Sequence, residues 1–185
     1  MSQRIRKPAL APPPIRPAEA RLDNPSDFLA AHYQHVWETR MHDMPFVNPV
    51  LSVETVGFFQ QQGDWIGVVI TPWFINLFLV YGGGELWGDI PAGERRYLSL
   101  PCGTLQFIAD DDPDIGPYQY CPLIAPVSDV ADMATARQAA LDAIAAVMVP
   151  PPEPIAEAEN TEQPVLPEKR DVSRRGFFKT LAGRR

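Results

Sequence analysis

The sequence predicts an α+β domain: a mainly antiparallel sheet with an N-terminal and a C-terminal helix packed on it, flanked by disordered tails. Three observations lead to this prediction. Strand-like apolar runs follow one another in the middle of the chain with no helix between them, whereas parallel strands need a long crossover, usually a helix. Helical spacing of apolar residues occurs only before and after these runs. Twelve of the 21 prolines fall in residues 1–25 and 150–167, which is typical of non-packing tails.

Composition and charge divide the 185 residues into three parts. Residues 1–21 are rich in proline and have a net charge of +4. Residues 22–149 contain four arginines, no lysine and sixteen carboxylates, a net charge of −12. Residues 150–185 begin rich in proline and end in a basic segment. Because a typical domain has roughly 100–200 residues, we expect one acidic domain at 22–149 between two disordered tails.

Local signals place the N-terminal helix. Asn24 is the predicted cap and Pro25 the first helical residue, and the helix is expected to end near Met41, before two prolines. Its predicted buried stripe consists of Phe28, Leu29, His32, Tyr33, Val36 and Trp37.

The C-terminal helix is predicted to begin after Asp132, which acts as its cap, and to run to about Val149. It is rich in alanine, so we expect close packing against its neighbours. The residues expected on its buried side are Leu141, Ile144, Ala145 and Met148.

Six strands are expected between the helices. The first two, at 50–59 and 65–71, are joined by a loop of hairpin length that contains glycine. The third is apolar at nearly every position, which indicates a central strand buried on both faces. The predicted positions of the last four strands are 74–81, 95–100, 104–109 and 118–123, and an acidic loop at 110–116 precedes the last one.

Several functional classes are disfavoured. An acidic domain repels nucleic acid and anionic membranes, whose binding depends on cationic residues. The run 65–81 is interrupted by Pro72 and Asn76 and is shorter than the roughly 20 apolar residues of a membrane span. The first 21 residues lack the apolar core of a secretory signal. We therefore expect a cytoplasmic protein.

No residue pattern indicates catalysis or a cofactor. Cys102 and Cys121 form no C-x-x-C pair and are interpreted as buried, inert thiols. His32 and His35 have the i, i+3 spacing of a metal pair, with His42 or Asp43 nearby, but no third ligand stands at a fixed spacing. The acidic sequence DDDPDIG lacks the spacing of a helix-loop-helix calcium site. We therefore expect neither a metal nor another cofactor.

Two segments, 41–49 and 71–76, hold more aromatic and proline-flanked polar residues than a core requires. They are predicted either to brace loops or to line a groove for an extended peptide, and Asn48 and Asn76 fit both interpretations. The groove candidates are Met41, Asp43, Pro45, Phe46, Asn48, Thr71, Pro72, Trp73, Phe74, Asn76 and Tyr118. Carboxylates near these segments are candidates for contacting a basic peptide, namely Asp43, Glu54, Asp64 and Glu85.

The most specific short motif lies in the C-terminal tail, where SRRGFFK closely resembles the twin-arginine export signature S-R-R-x-F-L-K. An export signal stands at the N-terminus and precedes an apolar segment. The motif is therefore predicted to be a pseudo-signal, or else an accidental match within a basic tail. Its residues are Ser173, Arg174, Arg175, Phe177, Phe178 and Lys179.

Four segments in the order MHDMPFVNPVLSVETVGF, GVVITPWFINLFLV, LPCGTLQFIA and GPYQYCPLIAPV resemble the nickel-iron hydrogenase assembly chaperones of the HybE/HupJ family. The resemblance covers about residues 25–149. It implies a cytoplasmic, non-enzymatic accessory protein that engages the precursor of the hydrogenase small subunit, which bears a twin-arginine signal. Such binding would delay export until the subunit is assembled.

The charge pattern and the resemblance lead to one hypothesis: the acidic domain holds the Arg-Arg signal of the small-subunit precursor, and the chain's own tail competes for the same groove. Two alternatives remain. In the first alternative, the domain is a scaffold for folded hydrogenase subunits, such as the large subunit, or for other maturation proteins. The other alternative, a thiol-dependent or iron-sulfur handling enzyme, requires Cys102 or Cys121.

Overall fold

The computed structural model describes residues 14–150, which form an α+β domain around one six-stranded, wholly antiparallel sheet. The predicted fold class is confirmed. Helix α1 is Ser26–Val36, followed by a π-helical turn at Trp37–Met41, and helix α2 is Met133–Met148. The strands are β1 Glu54–Gln61, β2 Asp64–Ile70, β3 Ile75–Val80, β4 Arg95–Leu100, β5 Gly103–Asp112 and β6 Gly116–Ile124.

The sheet consists of two three-stranded meanders joined at their inner strands. Its strand order is β1-β2-β3-β6-β5-β4, so the last strand of each meander is a central strand. All six residues of β3 are buried, which confirms the prediction of a strand covered on both faces. Pairing of Phe78 with Tyr120 aligns aromatic residues of the two meanders on one face.

The two helices cover opposite faces of the sheet. Leu29 and Tyr33 of α1 pack with Phe58 and Phe78, whereas α2 packs on the layer that contains Leu77. The phenyl ring of Phe58 lies directly against Gly67 of β2, and a Cβ atom on residue 67 would collide with that ring. The α1 layer therefore depends on a residue without a side chain.

Helix α1 starts one residue later than predicted, with Pro25 in the cap position and Ser26 as the first helical residue, and Asn24 contacts this first residue. Oδ1 of Asn24 accepts hydrogen bonds from the backbone N–H and the hydroxyl of Ser26, at 2.9 and 2.6 Å. The predicted buried stripe is too broad, because Leu29 and Tyr33 are buried whereas Phe28 is exposed. The Phe28 ring is instead covered by the guanidinium of Arg21, 3.7 Å from the ring centroid.

The predicted buried side of α2 is wrong. Leu141, Ala145 and Met148 are exposed and Ile144 is only partly buried, although the apolar pattern predicts that all four pack on the sheet. The buried residues are Ala136, Ala140, Ala143 and Val147. Small side chains let the helix backbone approach the sheet closely, and this close approach outweighs the larger apolar area of the other side. Asp132 caps the helix as predicted, since its carboxylate accepts from Thr135 N at 2.7 Å.

The β1–β2 hairpin is tighter than expected, with Gln62 and Gly63 alone between the strands. Both have positive φ, 49° and 85°, as in the two-residue turns that match strand twist. Asp64, which follows, is fully buried and accepts three backbone hydrogen bonds, from Gly82, Gly84 and Trp87, at 2.8–2.9 Å. These bonds fix the chain after β3 against the hairpin.

Residues just before the predicted domain boundary at residue 22 contact the sheet. Arg16 forms an ion pair of 3.1 Å with Asp111, and Arg21 N donates to Tyr81 O at 2.8 Å. Residues 16–21 border a cleft of about 390 Å³ with residues 114–117. The rest of the predicted N-terminal tail, residues 1–13, and the predicted C-terminal tail from residue 151 with its SRRGFFK motif lie outside the described residues.

Candidate peptide-binding surface

The two segments that the sequence singles out lie side by side. Asn48 N donates to Pro72 O at 2.7 Å, which joins segment 41–49 to segment 71–76. The Asn48 side chain is buried and donates to Val127 O and Val130 O at 2.9 and 2.8 Å. Asn48 therefore braces three loops, and its amide is not presented to a peptide.

Thr71 organises the turn between β2 and β3. Its hydroxyl oxygen accepts from Trp73 N at 3.2 Å and from Phe74 N at 2.9 Å, and the hydroxyl lies 3.0 Å from Phe74 O. This geometry holds Trp73 and Phe74, each half-buried, beside the end of α1. Thr71, Pro72 and Asn76 are buried, so among the groove candidates they support the aromatic residues from below.

A continuous row of aromatic rings crosses the α1 face of the sheet. Trp37 stacks on Trp73 with centroids 6.2 Å apart, and Phe78 stacks on Tyr118 at 5.0 Å with the planes 6° apart. Tyr33 and Phe78 are buried beneath the others. We name the half-buried members the aromatic row; they are Trp37, Trp73, Phe74, Tyr118 and Tyr120.

The aromatic row ends at a cluster of carboxylates in the β5–β6 hairpin. We name it the acidic turn; its residues are Asp110, Asp111, Asp112 and Asp114. The hydroxyl of Tyr118 donates to Asp110 Oδ2 at 2.9 Å. Burial raises the pKa of Tyr118 above its usual range, and the neighbouring Tyr33 and Asp110 raise it further, so Tyr118 stays a hydrogen-bond donor at neutral pH.

Beyond α1, the outer half of this sheet face is less covered. Alternate residues of β5 and β6 on this face are half-buried, including Ile108 and Tyr120, while the alternating partners such as Phe107 and Cys121 are buried on the α2 side. Tyr97 of β4 is 55% exposed on the outer strand. Within this outer half of the sheet face, Tyr118 is the one residue that was also a groove candidate from the sequence. The period-two alternation of tyrosines in the last strand is the signal that could have indicated the rest.

Other groove candidates lie toward the opposite end of the aromatic row. Phe46 is 59% exposed, and Pro45 is exposed beside it. Met41 ends the π-helical turn and is partly buried. Asp43 is exposed, and its carboxylate lies 3.0 Å from Nε2 of His42.

The four carboxylates that the sequence proposed as contacts for a basic peptide have different surroundings in the structure. Asp64 is buried within backbone hydrogen bonds and does not face the surface. Glu54 pairs with Arg137 at 2.7 Å and links β1 to α2. Glu85 and Asp43 are exposed. The structure thus presents the acidic turn next to the aromatic row, whereas the sequence of this turn indicated only a solvated loop.

Neither cysteine has the surroundings of a reactive thiol. Neither forms a disulfide; Cys121 is buried on β6, and Cys102 lies in the turn before β5. Burial raises the pKa of the Cys102 thiol, which disfavours the thiolate that nucleophilic chemistry requires.

The histidines do not gather as their spacing suggested. His35 and His42 are exposed, whereas the side chain of His32 is buried next to Asp112, with Nε2 3.5 Å from Oδ2. Within residues 14–150, none of the helices is long and apolar enough to span a membrane.

The comparison with protein families places the chain among assembly chaperones. Residues 24–180 match the family described as "[NiFe]-hydrogenase assembly, chaperone, HybE". The chain therefore belongs to the HybE family, as the motifs of the sequence indicated, and its class implies hydrogenase subunits as partners.

Individual relatives agree with this family. The chain is 32% identical over 160 residues to the hydrogenase expression/formation protein HupJ of Bradyrhizobium diazoefficiens, covering 86% of this chain and 90% of that protein. It is 33% identical over 129 residues to the probable rubredoxin HupJ of Rhodobacter capsulatus, covering 70% of this chain. The chain spans only 45% of the length of the latter protein.

A solved structure has the same fold. The solution structure of HybE from Escherichia coli superposes with a TM-score of 0.57, covering 82% of this chain and 94% of that one, at 24% identity. The sheet and the two helices are thus a fold that the family shares.

Proposed function

We propose that this chain is a cytoplasmic, non-enzymatic chaperone that binds the twin-arginine signal of the hydrogenase small-subunit precursor and delays its export until assembly. The observation that carries the proposal is the meeting of the aromatic row with the acidic turn at the Tyr118–Asp110 hydrogen bond. The signal combines two guanidinium groups with a bulky apolar residue, and this surface offers carboxylates beside half-exposed rings.

Charge and apolar burial play different parts in this proposal. An exposed ion pair contributes only about 0–1 kcal/mol, so carboxylates alone retain a peptide weakly. Burying a phenylalanine or leucine side chain contributes roughly 1.5–3 kcal/mol. The net charge of −12 over residues 22–149 speeds association with a basic segment, while apolar contacts with the rings slow dissociation.

The spacing of the rings suits an extended peptide. Alternate side chains of an extended chain are about 6.6–7 Å apart. Within the aromatic row, ring centroids lie 6.2 Å apart from Trp37 to Trp73, 5.7 Å from Trp73 to Phe74 and 6.1 Å from Tyr118 to Tyr120. The buried ring of Phe78 lies between Phe74 and Tyr118 and contacts both. A signal lying along the row would therefore bring every second side chain near a ring, with its arginines toward the acidic turn.

Arginine already packs on an aromatic ring within this chain. The Arg21 guanidinium lies 3.7 Å from the centroid of the Phe28 ring, the geometry of a cation–π contact. We infer the same kind of contact between a signal arginine and Tyr118 or Tyr120, with a carboxylate of the acidic turn accepting its N–H groups.

The proposal is tested by calorimetric titration of the full chain with a synthetic small-subunit signal peptide and with a scrambled peptide of the same composition. We expect the scrambled peptide to bind at least about tenfold more weakly, a difference of about 1.4 kcal/mol. Equal binding of both peptides would instead favour the scaffold function, in which folded subunits dock on the surface.

A matched pair of variants locates the site. Asp110→Asn removes one charge of the acidic turn and should weaken signal-peptide binding. Asp129→Asn removes one charge beyond the opposite end of β6, where Asp129 is exposed, and should leave binding unchanged. Similar losses in the two variants would mean that the acidic turn is not the binding site and that net charge alone attracts the peptide.

The C-terminal SRRGFFK motif is proposed to compete for the same surface. The 23 steps from Pro150 to Ser173 give a flexible chain an r.m.s. span of about 26–29 Å, compared with a domain radius of gyration near 14 Å. Removing residues 170–185 should tighten binding of the signal peptide. Unchanged affinity would exclude self-competition and leave the chaperone function intact.

A further inference from the structure

We infer that His32, Asp112 and Asp114 form a binding site for a first-row divalent cation such as Zn²⁺. The three residues come from α1 and from the β5–β6 hairpin. Each offers one ligand atom, and these atoms all lie within 4.8 Å of one another. The site uses Asp112 and Asp114 of the acidic turn and leaves Asp110 and Asp111 for the signal arginines of the proposed function, and metal binding can be measured without any peptide.

The His32 side chain is the strongest indication of a ligand. Only 8% of it is exposed, and its Nε2 atom has no hydrogen-bond partner among the described residues. Buried polar atoms are normally satisfied, and an exception calls for an explanation such as a bound ion. Nε2 lies 3.5 Å from a carboxylate oxygen of Asp112, and the Asp114 carboxylate lies close by. Carboxylates together with imidazole are common ligands of a cation.

The distances fit a metal better than a hydrogen bond. Nε2 of His32 lies 3.5 Å from Oδ2 of Asp112, which is long for an N–H···O bond. Around Zn²⁺, nitrogen and oxygen ligands at about 2.0–2.1 Å in tetrahedral geometry are separated by roughly 3.4 Å. The observed separation is therefore close to the edge of such a tetrahedron.

The hairpin holds Asp112 in the required orientation. Its Oδ1 atom accepts from the backbone N–H groups of Asp114 and Ile115, at 2.8 and 3.2 Å. Oδ2 is therefore directed at His32. Asp114 is exposed at the tip of the turn, where its carboxylate can rotate to become the third ligand.

Local charge favours a cation at this position. Of the four carboxylates in the acidic turn, Asp111 pairs with Arg16 and Asp110 accepts from Tyr118. Asp112 and Asp114 are the two that face His32. A divalent ion would neutralise both.

The ligand set indicates which metals fit. Imidazole together with carboxylates suits Zn²⁺, Co²⁺ and Ni²⁺, whereas Ca²⁺ takes oxygen ligands. Three protein ligands leave a fourth position for water on the exposed side of Asp114. The site thus differs both from the pairing of His32 with His35 considered from the sequence and from a calcium loop.

The test uses the chelator-treated full chain, titrated with Zn²⁺ by calorimetry and with Co²⁺ by visible absorption. We expect one ion per chain. His32→Gln and Asp114→Asn should each weaken binding at least about tenfold, since even residues that only orient a metal ligand typically change affinity 10–100-fold.

The matched control variants change one residue of α1 and one residue of the β5–β6 hairpin. His35→Gln changes an exposed histidine one turn further along α1, and Asp111→Asn changes a carboxylate of the acidic turn that faces Arg16. Both should bind Zn²⁺ within about twofold of the unaltered chain.

Two results would overturn the inference. Absence of Co²⁺ absorption and of a Zn²⁺ heat signal would mean that His32 and the two carboxylates bind no metal. Control variants as damaging as His32→Gln would place the metal elsewhere. Asp114 is exposed, so Asp114→Asn is expected to fold and keeps the test decisive even where the His32 variant is unstable.

Discussion

Tyr118 and Asp110 are cross-strand partners in the β5–β6 hairpin, and the Tyr118 hydroxyl donates to Asp110 Oδ2 at 2.9 Å. The register of two strands thus fixes which ring meets which carboxylate. On its other side, Tyr118 stacks on Phe78 of β3. One side chain therefore connects the buried aromatic residues to the acidic turn.

Replacing Tyr118 with phenylalanine should lower the free energy of unfolding by about 1 kcal/mol, because the hydrogen bond is lost while the ring stacking is kept. Urea unfolding measures this change. Tyr97→Phe is the control, since its exposed hydroxyl accepts from Gln106 at the surface and its removal should change stability by less than about 0.5 kcal/mol. Equal losses would mean that the Tyr118 hydroxyl has no special role.

The Tyr118–Asp110 pair also predicts that the stability of the fold depends on pH in alkaline solution. The folded-state pKa of Tyr118 is raised above its ordinary 10.0, chiefly by burial, so the folded state disfavours the phenolate. The contribution of Tyr118 to stability is therefore present below pH 10 and decreases above it, as the unfolded chain ionises. The stability difference between the unaltered chain and Tyr118→Phe should shrink above about pH 10.

Asp64→Ala should cause a loss of at least about 2 kcal/mol in the free energy of unfolding, since it leaves three partly buried backbone N–H groups without their acceptor. Urea denaturation gives the value. Glu85→Gln, at an exposed carboxylate near the same turn, should be nearly neutral. A mild effect of Asp64→Ala would show that water replaces the carboxylate.

Ala140→Leu should destabilise the domain by about 1–3 kcal/mol, because it inserts a larger side chain where α2 lies closest to the sheet. Leu141→Ala, one residue further, should change stability by less than about 0.5 kcal/mol, since Leu141 is 49% exposed. Thermal unfolding of both variants compares the two sides of α2. The reverse order of stability would contradict the observed orientation of the helix.

The fold was largely predictable because its signals are local. Strand β4 has the predicted bounds, and Asp132 caps α2 as predicted, whereas α1 starts one residue later than expected. The side that α2 buries was not predictable from apolar content. Leu141 and Met148 are exposed although they are large and apolar, and close backbone packing cannot be read from a sequence pattern.

The candidate site was only partly predictable, because it depends on contacts between distant parts of the chain. The segments around Asn48 and Trp73 were identified, but the burial of Asn48 depends on carbonyls of Val127 and Val130. His32 meets Asp112 across 80 residues of sequence, and local spacing instead suggested His35 as its partner. The order of the strands in the sheet brings these residues together, and no local sequence pattern specifies that order.

Asp132→Ala should lower the melting temperature at neutral pH and lower it by less in acid. The hydrogen bond from Thr135 N holds the pKa of Asp132 below its ordinary 3.8. Because the folded-state pKa is depressed, the stabilisation is present above pH 3.8 and disappears as the pH falls through the folded-state value. Melting curves of the unaltered chain and of the variant, recorded from neutral pH to about pH 3, measure the difference between the two proteins.

The control is Asp132→Asn, which keeps an oxygen that accepts from Thr135 N but carries no charge. Its melting temperature should stay above that of Asp132→Ala by a margin that does not depend on pH, because neither of the two substituted side chains titrates. In acid, the unaltered chain alone should lose the part of its advantage over Asp132→Ala that comes from the charge, and its melting temperature should approach that of Asp132→Asn. If the unaltered chain keeps its full advantage at the acid end of the series, the effect belongs to helix propensity and not to the carboxylate cap.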